Sequence, residues 1–172
     1  MFNSHVLEPV KILPADYVNP AHAEALVSLL DAYARDLAGG GAPLSEFARA
    51  NVVRELGRRQ AFSVLAFDGA DIESATPVGL VNCIEGFSTF ACRPLVNVHD
   101  VVVTISHRGR GVAALMLAEV ERIARERGAC KLTLEVLSGN ASARRLYERF
   151  GFAGFQLDPA MGQAQFLQKW LA

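Results

Sequence analysis

The sequence predicts a mixed α/β fold, an α+β sheet covered by helices in the order βααβββαβαββ. Three observations carry this. Valine-rich runs such as 95–105, and the alternation of residues 130–137, have strand character. Other stretches repeat apolar residues every three or four positions, as helices do. Between residues 95 and 137 a strand, a glycine-rich turn, a helix and a second strand follow one another. That is a βαβ crossover, which makes its two strands parallel. A length of 172 residues suits one domain with a full core.

The elements can be justified in chain order. Residues 6–13 form a first strand, at an edge because of Pro9. Asn19-Pro20 opens a helix, an N-cap followed by a proline that needs no amide partner. Leu26, Leu29, Leu30, Tyr33 and Leu37 recur at helical spacing until Gly39-Gly40-Gly41 stops the run. A second helix starts at 43–45, places Leu44, Phe47, Val52 and Leu56 on or near one face, and ends by Gly57. Residues 61–67 and 77–85 read as strands joined by a hairpin loop over 68–76. Residues 86–94 read as a loop whose Phe87 and Phe90 must bury or line a pocket.

The long strand 95–105 feeds the turn and a helix over 111–127. The buried stripe of that helix is Val112, Leu115, Met116, Val120, Ile123 and Ala124. Glu121 with Arg125, and Arg122 with Glu126, pair on its wet side. Gly128 closes it, and 130–137 returns as a strand. Asn140 caps a short helix over 141–150 that Gly151 ends. Strands at 152–157 and 165–171, joined by a turn at 158–162, complete the pattern.

Composition narrows the function. Seventeen basic residues face eighteen acidic ones, for a net charge of −1, so nothing general favours nucleic acid or an anionic membrane. Cys83, Cys92 and Cys130 form no Cys-x-x-Cys pair, and His5, His22, His99 and His107 show no metal spacing. These counts predict neither a disulfide framework nor a metal. No signal-peptide pattern and no long apolar span is visible, so a cytoplasmic setting is the expectation.

The chemistry-bearing stretch is Ser106-His-Arg-Gly-Arg-Gly-Val-Ala-Ala114. Glycines let the main chain approach an anion, and the first N–H groups of a helix lack internal partners. The helix dipole adds partial positive charge there, and Arg108 and Arg110 can add full charges. On its own the turn is equally open to being a tight strand-to-helix connection. No Gly-Lys-Ser/Thr follows, so it is not a P-loop. A dinucleotide turn is disfavoured because it lies late in the chain, outside a first βαβ unit.

Arg108-x-x-Gly111-x-Ala113 after Val-Val-Val, followed by Asn140-Ala-Ser-Ala-Arg-Arg-Leu-Tyr147-Glu-Arg-Phe-Gly-Phe152, resembles the GCN5-related N-acetyltransferase (GNAT) family, and the element order matches over nearly the whole chain. The resemblance implies a single GNAT-like domain with splayed central strands and an acyl-CoA donor, most often acetyl-CoA. It implies that backbone amides of Arg108, Gly109, Arg110, Gly111, Val112, Ala113 and Ala114 hold the pyrophosphate. It also implies that Val101, Val102 and Val103 hydrogen-bond the pantetheine arm through their main chain, a backbone N–H near Val102 or Val103 serving the developing oxyanion. Asn140, besides capping its helix, matches a residue that often contacts the cofactor. Arg144 reads as an exposed helix arginine.

The resemblance makes Tyr147 the general acid to the departing thiolate. Phenols ionise near pH ~10, so such a group is protonated at neutral pH. The residue that takes the amine's proton is left open among Asp100, Glu85, His99, Glu135 and a water. Because neighbours on a strand face opposite sides, His99 and Asp100 are not expected to share a pocket. The implied activity is transfer of an acetyl group to a primary amine on a small molecule or peptide. The alternatives are a non-catalytic acyl-CoA-binding module and, less consistent with the element order, a dinucleotide enzyme. The acceptor regions would be 36–47 and 86–94. Exposed C-terminal strands would allow a homodimer.

Overall fold

In the computed structural model, residues 10–69, 74–156, 158–162 and 164–171 are described. The chain forms two compact units, Met1–Leu134 and Glu135–Ala172. The first contains a five-stranded mixed sheet in sequential order: β1 (Lys11–Pro14), β2 (Ala61–Asp68), β3 (Thr76–Ser88), β4 (Arg93–Val103) and β5 (Leu132–Leu134). Neighbours run antiparallel except β4 and β5, which are parallel, as the crossover requires. Of the expected first strand, residues 6–9 lie outside the described residues.

Helices α1 (Pro20–Arg35) and α2 (Glu46–Gly57) cover one face of the sheet, and α3 (Val112–Glu126) the other. The first layer is built from Ala25, Leu26 and Leu29 against Leu65, Phe67, Leu80 and Val102, with Val52, Val53 and Leu56 of α2 at its margin. On the opposite face Met116 lies over Gly79: a Cβ there would meet the Met116 Sδ at 2.9 Å and the Ala66 Cβ at 3.1 Å. β2 is therefore buried on both faces, which explains why apolar residues occupy consecutive positions on either side of Ser63.

The helix starts are those the sequence encodes. Asn19 accepts from the Ala21 and His22 amides, with Pro20 in the first turn, and Ser45 accepts from Ala48. The first helix stops earlier than the three glycines: Asp36 ends it at Arg35 by capping the short 3₁₀ turn Leu37–Gly39. Leu37 and Phe47 are exposed. In α3, Leu117 is buried where Leu115 is expected, and Leu115 is 52% exposed. The Arg122–Glu126 and Arg125–Glu121 pairs are present.

The 86–94 loop is mostly strand. Gly86, Phe87 and Ser88 pair with Leu95, Pro94 and Arg93, so β3 and β4 continue as a hairpin arm. Cross-strand pairing, which local composition does not report, overrides the glycine and proline here. Phe87 and Phe90 stand exposed on that arm rather than buried. The expected strand over 130–137 shortens to Leu132–Leu134.

In the second unit, α4 (Ala141–Arg149) is capped by Asn140, whose side chain accepts from the Ala143 amide at 3.1 Å. Gly151 takes φ +94° beyond its end. The strands expected at 152–157 and 165–171 are not found among the described residues; Leu157 lies outside them. A strand exists only through a partner's hydrogen bonds, and Phe155, Phe166, Leu167 and Trp170 remain exposed.

Candidate active site

The turn after β4 is built to leave a helix terminus open. Ile105–His107 makes one 3₁₀ turn, and Gly109 and Gly111 both take left-handed φ values, +75° and +83°. Gly111 is the N-cap of α3 and supplies no side-chain cap. A Cβ built at either glycine meets nothing within 4 Å. The first amides of α3 thus have no side-chain cap, at the positive end of a 15-residue helix and next to two glycines that leave open space. Val112 itself is buried, so its contribution there is its backbone.

His107 anchors this turn. It is buried, its Nε2 lies 2.9 Å from Asp68 Oδ2, and its Nδ1 lies within 3.1 Å of the Thr104 and Ser106 hydroxyls. Arg108 is also engaged. Its Nε donates to Val103 O at 3.1 Å and its Nη2 to Asp36 Oδ2 at 3.0 Å, joining the turn to the end of α1. The Ala38 amide, then Arg108, holds the Asp36 carboxyl below its ordinary range. Arg110 is exposed beside it.

The second feature is the free edge of β4. Pairing with β5 covers only Val96, Val98 and the residue between. Opposite β3, Cys83 faces Val98 but Asn82 faces Asp100, so His99 is an inserted, exposed bulge residue. The bulge reverses the backbone phase. Val96 N–H donates to Lys131 O on the β5 side, whereas Thr104 N–H donates to Val78 O on the β3 side. In an unbroken strand these even-numbered residues would point the same way. Val101 and Val103 therefore turn their N–H groups to the edge beyond the last β5 pairing, and Val102 turns its own toward β3. An extended, peptide-like ligand can pair with such an edge through Val101 and the Val103 N–H, the Val103 carbonyl being held by Arg108.

The register also sorts the candidate carboxylates. Asp100 lies on the α1/α2 face, where Asn82 Nδ2 donates to its Oδ2 at 2.9 Å. Tyr33 is close by: burial, then the negative charges of Asp100 and Asp36, push its hydroxyl pKa up. Glu85, three residues from Asn82 along β3, falls on the α3 face and lies 3.5 Å from Arg127, whose guanidinium stacks 4.5 Å over the Phe62 ring. The structure does not bring Glu85 and Asp100 together. Glu135 is exposed and opens the second unit.

In that second unit Tyr147 is buried and meets the Phe152 ring edge-on at 5.9 Å. Arg144 is exposed, with Glu148 at 3.7 Å. Among the described residues no cluster of His, Cys, Asp or Glu could hold a metal, and no helix is long and apolar enough to cross a membrane.

Sequence reasoning misses a buried polar row behind Asp100. Tyr17 Oη lies 2.8 Å from Ser63 Oγ, which donates to Asn82 Oδ1 at 2.6 Å. The available signal is a polar residue at a core position, Ser63 within Ala-Phe-Ser-Val-Leu and Asn82 within Leu-Val-Asn-Cys-Ile.

The βαβ crossover thus sets an uncapped glycine turn beside a freed strand edge. The profile of the acetyltransferase (GNAT) family matches residues 23–152, and the chain belongs to that family. The streptothricin acetyltransferase of Streptomyces lavendulae is 37% identical over 101 residues, 56% of this chain and 53% of that protein. The chain spans about half or less of the curated relatives it matches, 53%, 30% and 35%. Among solved structures, the ribosomal-protein-alanine N-acetyltransferase of Brucella melitensis biovar Abortus 2308 aligns with TM-score 0.67 and 20% identity, covering 94% of this chain and 100% of that one. AAC(6')-Iy, in complex with the bisubstrate analog CoA-S-monomethyl-acetylneamine, aligns with TM-score 0.69 and 20% identity over 95% and 99%. These structural likenesses are of fold.

Proposed function

We propose that this protein is an N-acetyltransferase that moves an acetyl group from acetyl-CoA to a primary amine by direct attack. The observation that carries the reading is the uncapped start of α3 behind Gly109 and Gly111, beside the β4 edge that β5 does not cover. Acetyl-CoA, when bound, supplies an acyl group activated as a thioester. The residues suit it: amides of residues 108–114 for the pyrophosphate, and the Val101 and Val103 edge for the peptide-like arm. Val102 contributes its buried side chain, and Asn140 is a further hydrogen-bonding candidate.

Asp100 is the proton acceptor we favour. It stands two residues from the Val102 core position on the strand that carries the binding edge, whereas Glu85 faces Arg127 on the other side of the sheet. Tyr147 is the acid that protonates the departing thiolate, a role resting on its place in the motif. A Val103 N–H turned to the open edge suits the developing negative charge on oxygen. The similarity to a streptothricin acetyltransferase favours a small-molecule acceptor of the streptothricin type. Three unpaired cysteines suit a reducing, cytoplasmic setting.

The test is thiol release from acetyl-CoA against streptothricin-type and aminoglycoside amines, polyamines, amino acids and short peptides. Release with one class establishes the activity and names the acceptor. CoA binding without release from any amine overturns the transferase reading in favour of a binding module.

A further inference from the structure

Ser63, Asn82 and Asp100 are direct cross-strand neighbours on β2, β3 and β4, a polar row beside Leu65, Leu80 and Val102 on the same face. Ser63 and Asn82 are 1% and 3% exposed. Polar groups at such depth are costly unless paired, and an apolar row of similar size would hold the sheet as well. The hydrogen bonds have one direction. The Ser63 hydroxyl proton is given to Asn82 Oδ1, so Ser63 can only accept from Tyr17. Burial, opposed by the Ser63 hydrogen bond, pushes the Tyr17 hydroxyl pKa up and keeps it a donor. The Asn82 amide must then present Nδ2 to Asp100; turned over, it would set oxygen against oxygen. Every donor points along Tyr17, Ser63, Asn82 to one terminal acceptor, Asp100 Oδ2.

The bulge completes the row. Without the inserted residue, the Cys83–Val98 register would put His99, not Asp100, opposite Asn82. We propose that Asn82, backed by Ser63 and Tyr17, is a positioning residue that holds the Asp100 carboxylate in the direction from which it takes the acceptor's proton. This rests on the acetyltransferase reading. The acceptor enters as an ammonium. One proton passes to Asp100 and later to water. A second leaves nitrogen as the C–N bond forms and the C–S bond breaks, and it ends on the CoA thiol. The amide in the row does not relay protons; it orients.

The experiment is a double-mutant cycle on the full chain, with thiol release followed from pH 6 to 9 and CoA affinity measured by calorimetry. Asp100→Asn should lower kcat/KM about 100-fold near neutral pH. The loss should shrink as pH rises, because more of the amine is then already neutral. Asn82→Leu should lower it about 10- to 100-fold, with the same pH trend and unchanged CoA affinity. In the Asp100→Asn background, Asn82→Leu should add nothing. Tyr17→Phe keeps the ring and the packing; it should show a smaller loss with the same pH trend and the same absence of effect in that background. Losses that multiply, or that are equal at every pH, overturn the proposal while leaving the transferase intact. Absence of thiol release from the parent protein overturns both.

Discussion

At the residue scale, the site depends on positions where a side chain is missing as much as on those where one is present. Gly111 combines φ +83° with open space where a Cβ would stand. Any L-residue there strains the N-cap, and a carboxylate would add negative charge at the anion-facing end of α3. Gly111→Glu should therefore abolish CoA binding by calorimetry while α3, buried along its other face, stays folded; unchanged affinity would remove the turn from the site. Tyr147→Phe retains the ring that meets Phe152 and deletes only the hydroxyl. It should lower kcat about 10- to 100-fold with CoA affinity nearly unchanged. Full activity would dismiss Tyr147 as the acid. Both residues are apparent from the sequence because each belongs to a contiguous motif. Asp36, His107 and Asn82 are not, since their partners lie 72, 39 and 18 residues away.

At the scale of elements, α3 is the bracket between the core and the turn. Met116 is fully buried against Gly79, and the open N-terminus lies one turn earlier. Met116→Ala leaves a cavity between the helix and β3 and should cost about 2–5 kcal/mol in chemical denaturation. CoA affinity should fall less than stability, because the terminal amides are set by the glycines and not by Met116. A stability loss below about 0.5 kcal/mol would show that the helix does not seat through this contact. Gly79 matters for the complementary reason, leaving room where an alanine Cβ would come within 2.8 Å of Met116 Cε. The helix caps and Gly128 are predictable because they act within four residues of one another. The hairpin arm of β3 and β4 is not, because its strands exist through each other.

At the scale of the molecule, several ion-paired carboxylates link stability to pH. Asp31 is lowered first by Arg35, Asp36 by the Ala38 amide, Glu55 by Arg59 and Glu119 by Arg122. A carboxyl with a depressed folded pKa binds fewer protons folded than unfolded. Its stabilisation is therefore present above the unfolded value, about 4, and is lost as pH falls through the folded value. The melting temperature should be level from neutrality to about pH 5 and should fall below about pH 4, less steeply in high salt. A melting temperature that holds or rises down to pH 3 would refute this account. The same linkage tests binding: CoA should raise the melting temperature with its concentration, and should not in Gly111→Glu.

What is local is legible in the residues: where α1 to α4 begin, the glycines of the turn, the crossover that makes β4 and β5 parallel, and the two motifs that point to the acetyltransferase family. These follow from interactions spanning a few residues, so they can be read in the chain. Strand pairing alone fixed the bulge at His99, and with it which residue faces Asn82 and which amides face the open edge. It also decided that Phe87 and Phe90 stand exposed and that residues 164–171 carry no strand among those described. The reason is register. A strand's faces and free edge are set by its neighbours' hydrogen bonds, and one inserted residue reverses both without leaving a mark in the local pattern.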